Sequence, residues 1–435
     1  MDRLSFSLPP AMQYPAYRSF WLGMLASVSG FQILRFGQFW LIFELTGSPL
    51  ALGYVGLANG VPAIFLNLFG GVAADRMDNR RLIYVSQTIT AILIFLLAVI
   101  TLMSMVEVWH LLTISFLAGA VEAFDQPARR ALLPQLIDRK VMSSAVALNS
   151  SIWPGTRIMA PAAAGFIIAL RGTEACFFVA GVGFLVMAAV AFRLRVPSVT
   201  RTSSGSPAHE LLEGLKFIRK ESMFSFLIAM TFFNSFFGNA YITLMPIFAV
   251  DILQVGAGKL GLLMGAGGIG SLATSIWLST RTRLNHKGLL IMGSGILSGI
   301  AIAAFAVTAE FVRSLPLAMA LMLTIGVFNS LFTTTTQSSL QMMVPDYIRG
   351  RVMGFYGMTY NIRPLGGMQA GALANIGAIG APFAIAIGGM AVVAFAIGSA
   401  LVNKKVRNLS TVLHQMEMAA ASAHQREHPA LTPDD

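Results

Sequence analysis

Charge is what this chain has little of. Asp, Glu, Lys and Arg make up only 11% of its 435 residues while 56% are hydrophobic, too little polar surface to coat a soluble globule. The solvent expected for such a chain is lipid. It has one cysteine, Cys176, and that residue sits inside an apolar run, which excludes an intrachain disulfide and any CxxC or zinc pattern. The six histidines are dispersed, so no metal site is expected. Walker motif, catalytic triad, paired catalytic carboxylates and haem signature are all missing. Gly267, Gly268 and Gly270 look like part of a phosphate-binding loop, but no GKT or GKS follows them. Neither a cofactor nor enzyme chemistry is expected, and any work the protein performs has to draw on gradients.

The charge that is present is lopsided. The chain holds 30 Lys and Arg against 19 Asp and Glu, a formal net charge of +11. The basic residues are scattered through short loops in twos and threes, which suits anionic lipid headgroups and topology, so no nucleic-acid partner is expected. Apolar runs long enough to span a bilayer fall at 20–43, 51–73, 82–103, 109–127, 145–169, 174–192, 223–248, 260–279, 288–308, 315–338, 352–374 and 381–402. Once these are marked, only Arg171, Lys259 and Arg313 lie in the loops of one side and only Arg35, Arg157 and Arg363 lie inside runs. All other basic residues fall on the opposite side, so the positive-inside rule makes both termini cytoplasmic. The first run is longer than a signal-peptide core, carries Arg35 and lacks a clean cleavage site, so it reads as a retained span.

The fold expected is an all-α membrane protein of twelve transmembrane helices in two pseudo-symmetric six-helix bundles. Residues 1–19 form a cytoplasmic N-terminus, 20–192 the first bundle, 193–222 a cytoplasmic linker, 223–402 the second bundle and 403–435 a cytoplasmic tail. Helical spacing around Glu210 to Lys220 predicts a segment lying on the membrane surface. An internal repeat supports the division. At one constant offset Gln126, Pro134, Val141, Met142 and Gly155 fall on Gln337, Pro345, Val352, Met353 and Gly366. At nearly the same offset Leu52, Gly53 and Gly60 fall on Leu260, Gly261 and Gly268, as two parallel repeats require.

Between the second and third runs stands GGVAADRMDNRRL. Gly71, Asp75, Arg76, Arg80 and Arg81 in it resemble the GxxxDR motif of the major facilitator superfamily. Asp78 occupies the place of that motif's usual second glycine. With QPARRALLP at 126–134 and Asn149, Arg157, Pro161 and Gly165 in the fifth run, the chain is similar to the twelve-span drug and siderophore exporters of the enterobactin-exporter and macrolide-efflux type. The resemblance implies alternating access in a bacterial cytoplasmic (inner) membrane by a protein working as a monomer. It also makes the GxxxDR loop a cytoplasmic gate, in which Gly71 lets helices approach and Asp75 accepts hydrogen bonds. The second-half copy of the loop is degraded, with Ser279 and Arg283 at the matching places.

The resemblance further implies that spans 1, 2, 4, 5, 7, 8, 10 and 11 line a central cavity. Candidate cavity residues are Gln32, Arg35, Gln38, Asn59, Asn149 and Arg157 in the first half, and Asn234, Asn239, Asn329, Tyr360 and Arg363 in the second. Interleaved aromatics suit an amphipathic small-molecule substrate, although some Asn residues are expected only to bridge helices. Arginine at depth is costly and needs partners. Arg157 is read either as pairing with Glu122 or as touching substrate, and convergence of the three arginines would favour an anionic or zwitterionic solute. Glu122 is placed well inside a span and is the candidate proton carrier, with Asp125 one turn nearer the cytoplasm as a second candidate; a static ion pair is the alternative. The function expected is proton-coupled efflux of a drug-like compound or siderophore. An importer or facilitator of an organic anion and a non-transporting membrane receptor or assembly factor are the alternatives.

Overall fold

Lipid offers a backbone N–H no partner, so each apolar run has to close its hydrogen bonds internally. The computed structural model describes residues 9–194, 222–281 and 286–402, with isolated positions at 215–216, 218–219, 408, 410–411, 415 and 418. Most of the linker, of the Glu210 to Lys220 segment and of the C-terminal tail, and Arg283, lie outside the described residues. The described residues contain helices and no strand.

In chain order the helices are α1 (Pro15–Thr46), α2 (Pro49–Arg76), α3 (Asn79–Leu102), α4 (Val108–Leu132), α5 (Met142–Arg171), α6 (Thr173–Arg193), α7 (Ser222–Phe233), α8 (Tyr241–Ile247), α9 (Ala257–Ser279), α10 (Lys287–Val312), α11 (Leu315–Met343), α12 (Asp346–Asn361), α13 (Arg363–Ala374) and α14 (Gly380–Val402). Among the described residues ten segments are long and apolar enough to cross a membrane, α7 and α8 counting as one continuous stretch, Ser222–Ile252. The remaining two of the twelve expected runs are occupied by α1 and by the α12–α13 pair. Every expected span is therefore helical, and the fold is an all-α membrane protein.

Short-range chemistry sets the ends. Gly47 adopts φ +59° after α1, a left-handed turn that leads at once to Ser48, whose hydroxyl caps α2 by accepting from Ala51 N. Asp78 accepts from the backbone N–H groups of Arg80 at 2.9 Å and Arg81 at 3.3 Å, capping α3. Two stretches are wound more loosely than an α-helix, Asn234–Gly238 and Phe248–Ile252, each a π-type turn flanking α8. The eleventh run breaks at Ile362, because Pro364 brings no N–H to the ladder.

The chain forms two compact units. The first holds the described residues of Met1–Ser204 with Thr243–Gly268. In it α2 packs on α4, α3 on α6 and α1 on α6 and α5. Residues 243–268 belong here because α9 lies backbone to backbone on α5, Gly261 against the Pro161 carbonyl and Gly165 against the Ala257 carbonyl. Before α1, the Pro10–Gln13 turn is strapped down as Tyr14 donates to Asp138 Oδ2 at 2.6 Å and Ala11 N to Ser144 Oγ at 3.4 Å. The Asp138 carboxylate raises the pKa of the Tyr14 phenol above its ordinary value.

The second unit holds the described residues of Gly205–Ile242 with Ile269–Asp435. There α10 packs on α11 and α14, with Gly299 and Gly389 in mutual backbone contact. The Asn234–Gly238 turn rests on α13 at Gly366. In both units large apolar side chains stand exposed, among them Ile92, Phe192, Ile300 and Met390. Lipid tails solvate such side chains as readily as a core does.

Candidate functional site

Three residues, Glu122, Asp125 and Arg129, are spaced to share one face of α4. Asp125 is 4% and Arg129 8% exposed, and they form an ion pair of 2.5 Å. The pair is tied to two other helices. Arg129 Nη2 donates to Ser27 Oγ of α1 at 2.7 Å, and Ser27 Oγ donates to Gln87 Oε1 of α3 at 2.9 Å. Ser86 Oγ of α3 donates to Asp125 Oδ1 at 3.2 Å. The buried pair is thus supported by hydroxyl groups of two other helices, as a low-dielectric interior favours.

Next to this network a small, half-open pocket forms. Glu122, Gln126, Asn59 and Gln87 face it with polar groups, and Phe31, Trp153 and Phe184 supply apolar wall. Gln126, one turn along α4 from Glu122, lines the same pocket, as do Asp125 and Arg129. The Arg35 guanidinium is held over the rings of Phe31 at 5.8 Å and Phe39 at 5.7 Å. Arg157 is exposed. Among the described residues neither Arg157 nor Arg35 is in ion-pair contact with Glu122; the one such pair on this face of α4 is Arg129 with Asp125.

Other expected cavity residues in this unit are engaged with each other. Gln38 is fully buried, donating to Ser115 Oγ at 3.0 Å and accepting from Asn59 Nδ2 at 3.2 Å, which joins α1, α4 and α2. Asn59 Nδ2 also reaches the Val55 carbonyl at 3.0 Å. Asn149 accepts from Tyr17 at 3.2 Å, bridging α5 and α1. Gln32 is half-buried.

In the second unit Tyr356 and Tyr360 share a hydroxyl contact of 2.6 Å, and Arg363 lies over the Tyr360 ring at 4.6 Å, at the first residue of α13. Asn239 Nδ2 donates to the Asn234 carbonyl at 2.9 Å and so closes the π-type turn. Asn234 is 1% exposed, its carboxamide turned towards Gly238. Asn329 is half-buried, and its carbonyl accepts from Thr333 Oγ1 at 2.9 Å.

At the GxxxDR loop the glycine making the close approach is Gly70, against the Ala123 carbonyl of α4, whereas a side chain at Gly71 would meet open space. One residue turns the helix by about 100°, enough to exchange the two. Asp75 is half-buried, Arg76 and Arg81 are exposed, and Arg80 Nη1 donates to the Leu194 carbonyl at 2.7 Å, closing the end of α6. Asp78 caps α3, a task that the glycine it replaces has no side chain to perform.

Sequence reading missed Arg129, Ser27, Ser86, Gln87 and Ser115. A fourth run that ends at residue 127 leaves Arg129 in a loop. The available signal was its spacing of four from Asp125, which lets a charge enter a span already neutralised.

The helical bundles are those of a multi-pass membrane protein, and the family match places the chain among the transporters of the major facilitator superfamily, which are not enzymes. A family model described as transmembrane secretion effector matches residues 7–431, and the chain belongs to that family. It is 23% identical over 379 residues to the staphyloferrin A transporter of Staphylococcus aureus, covering 86% of this chain and 92% of that one. To the multidrug efflux pump Tap of Mycolicibacterium fortuitum it is 24% identical over 363 residues, covering 79% and 85%. The crystal structure of a bacterial homologue of the human lysosomal transporter Spinster, inward-facing and unoccupied, superposes with a TM-score of 0.71 at 14% identity, covering 95% of this chain and 99% of that one.

Proposed function

We propose that this transporter exports an amphipathic small molecule, a drug-like compound or a siderophore, in exchange for protons. The observation that carries the reading is that Glu122 lines an aromatic-walled pocket together with the Asp125–Arg129 pair. A proton and a substrate can then compete for one site as the cavity changes sides. The names of the relatives, one a siderophore transporter and one an efflux pump, support the substrate class and the direction. The protein sits as a monomer in the bacterial inner membrane with both termini in the cytoplasm, the side on which its basic loops gather. Asp75 and its basic neighbours gate that side, and Arg157, Arg363 and Tyr360 contact substrate. One proton moving down roughly 150 mV releases about 3.5 kcal/mol, enough for a concentration ratio of roughly 300, so one-for-one exchange suffices.

A second reading, a facilitator or importer of an organic anion, is favoured by the Arg35 guanidinium, held over Phe31, which itself lines the pocket. The two are separated by proton movement in inverted, acidified vesicles challenged with lipophilic cations, zwitterions and organic anions. Exchange predicts substrate-evoked proton release that disappears in Glu122→Gln. Downhill flux that survives in Glu122→Gln, with no proton signal in either protein, selects the facilitator.

A further inference from the structure

Arg129 has no role in the reading above beyond proximity to Glu122, yet it is the hub of the buried network. Its guanidinium holds Asp125 on its own helix and Ser27 on α1, while Asp125 accepts from Ser86 on α3. Glu122, one turn before Asp125, lines the same pocket as Asp125 and Arg129. Two carboxylates and one cation of α4 therefore share one pocket. The other charges that bear on them are few. From α1 comes Arg35, and from α5 comes Arg157. From α3 the facing groups are the neutral Ser86, Gln87 and Thr90. From α2 it is Asn59, with Asp75 and Arg76 on its last turn beyond Gly70, and from α6 it is Phe184.

We propose that Arg129 is a positioning residue for proton coupling: it is the counter-ion that Asp125 and Glu122 share, and its tethers to α1 and α3 convert the protonation of either carboxylate into movement of those helices. This inference rests on the proton-coupled reading. A proton that adds to one carboxylate oxygen removes one negative charge from a site holding few, and the guanidinium is drawn to the carboxylate still ionised. Its fork geometry is fixed, so turning towards Glu122 lengthens the bond to Ser27 and relaxes the link from α1 to α4. Gln87, which accepts from Ser27, carries the same displacement to α3.

The test needs no knowledge of the substrate. Spin labels are placed at Met103→Cys and Val312→Cys, both exposed and at the ends of α3 and α10, in a Cys176→Ala background. Label separation is measured in lipid nanodiscs in mildly acidic and mildly alkaline buffer, together with melting temperature. The unaltered network is expected to give a pH-driven change in the distance distribution. Asp125→Asn and Arg129→Gln alone each leave a buried charge uncompensated and melt roughly 10 °C lower. The double variant Asp125→Asn/Arg129→Gln melts like the parent and loses the pH-driven change. Arg129→Lys, which keeps the charge without the fork, folds and retains a reduced change, so the proposal stays testable if the double variant fails to fold. A double variant that regains both stability and the pH-driven change overturns the proposal and leaves the pair a strut. So does a parent whose distances ignore pH, or single variants as stable as the parent. Glu122→Gln separates this from the reading beneath it: a pH-driven change that survives Glu122→Gln but not the double variant removes Glu122 as proton carrier and leaves Arg129 in its role.

Discussion

Leucine at Gly261 is expected to destabilise the protein by at least about 3 kcal/mol, a fall of roughly 10 °C in melting temperature, whereas alanine at Gly258 is expected to raise stability by about 0.5 kcal/mol. Both glycines lie in α9 and face α5, but they meet different things. A first side-chain atom at Gly261 would collide with the Pro161 carbonyl and the Ala162 backbone, neither of which can turn aside. At Gly258 the nearest atoms are the Ala169 methyl at 3.6 Å and the Gly165 carbonyl at 3.8 Å, ordinary contact distances. A methyl there fills space and restricts the unfolded chain. The backbone approach is set by small residues on both helices, a device that lets transmembrane helices gain packing energy where the hydrophobic effect gives none. Thermal melting of purified protein in detergent, with size-exclusion profiles alongside, reads the outcome. Equal melting of the two variants would mean that α5 and α9 are not in backbone contact.

The parts legible in sequence were those lipid enforces. All the expected runs became helices because the bilayer leaves no other way to satisfy their backbones, and the break at Ile362 follows from Pro364. Helix phase was harder. Gly71 belongs to the motif, but Gly70 meets α4, and adjacent residues differ by a rotation that composition does not encode. The turn Asn234–Gly238 carries no proline to announce it; its extra residue per turn emerges from packing on α13. Arg129 was hidden by the rule that made the topology so easy to read, since a basic residue at a span end is normally a loop residue. Only its partner four residues earlier distinguishes it.

Two buried amides are expected to answer leucine with opposite signs. Gln38 is fully buried and makes both a donor and an acceptor bond, to Ser115 and Asn59. Leucine removes both bonds and leaves the fully buried Ser115 hydroxyl without its partner, so Gln38→Leu is expected to lose about 2–4 kcal/mol. Asn234 is equally buried, but among the described residues neither its carboxamide oxygen nor its nitrogen has a hydrogen-bond partner. Folding strips that amide of water and returns nothing from the chain, so Asn234→Leu is expected to be neutral or to gain about 1 kcal/mol. Its backbone carbonyl keeps the bond from Asn239 in either case, so the π-type turn is preserved. Urea or thermal unfolding in nanodiscs decides the matter by sign alone. A loss of about 2 kcal/mol at Asn234 would place a partner other than the chain, a bound solute or ordered water, against its amide; a gain that leaves transport intact would show Asn234 to be outside the transport path, despite its place among the polar residues of the seventh span.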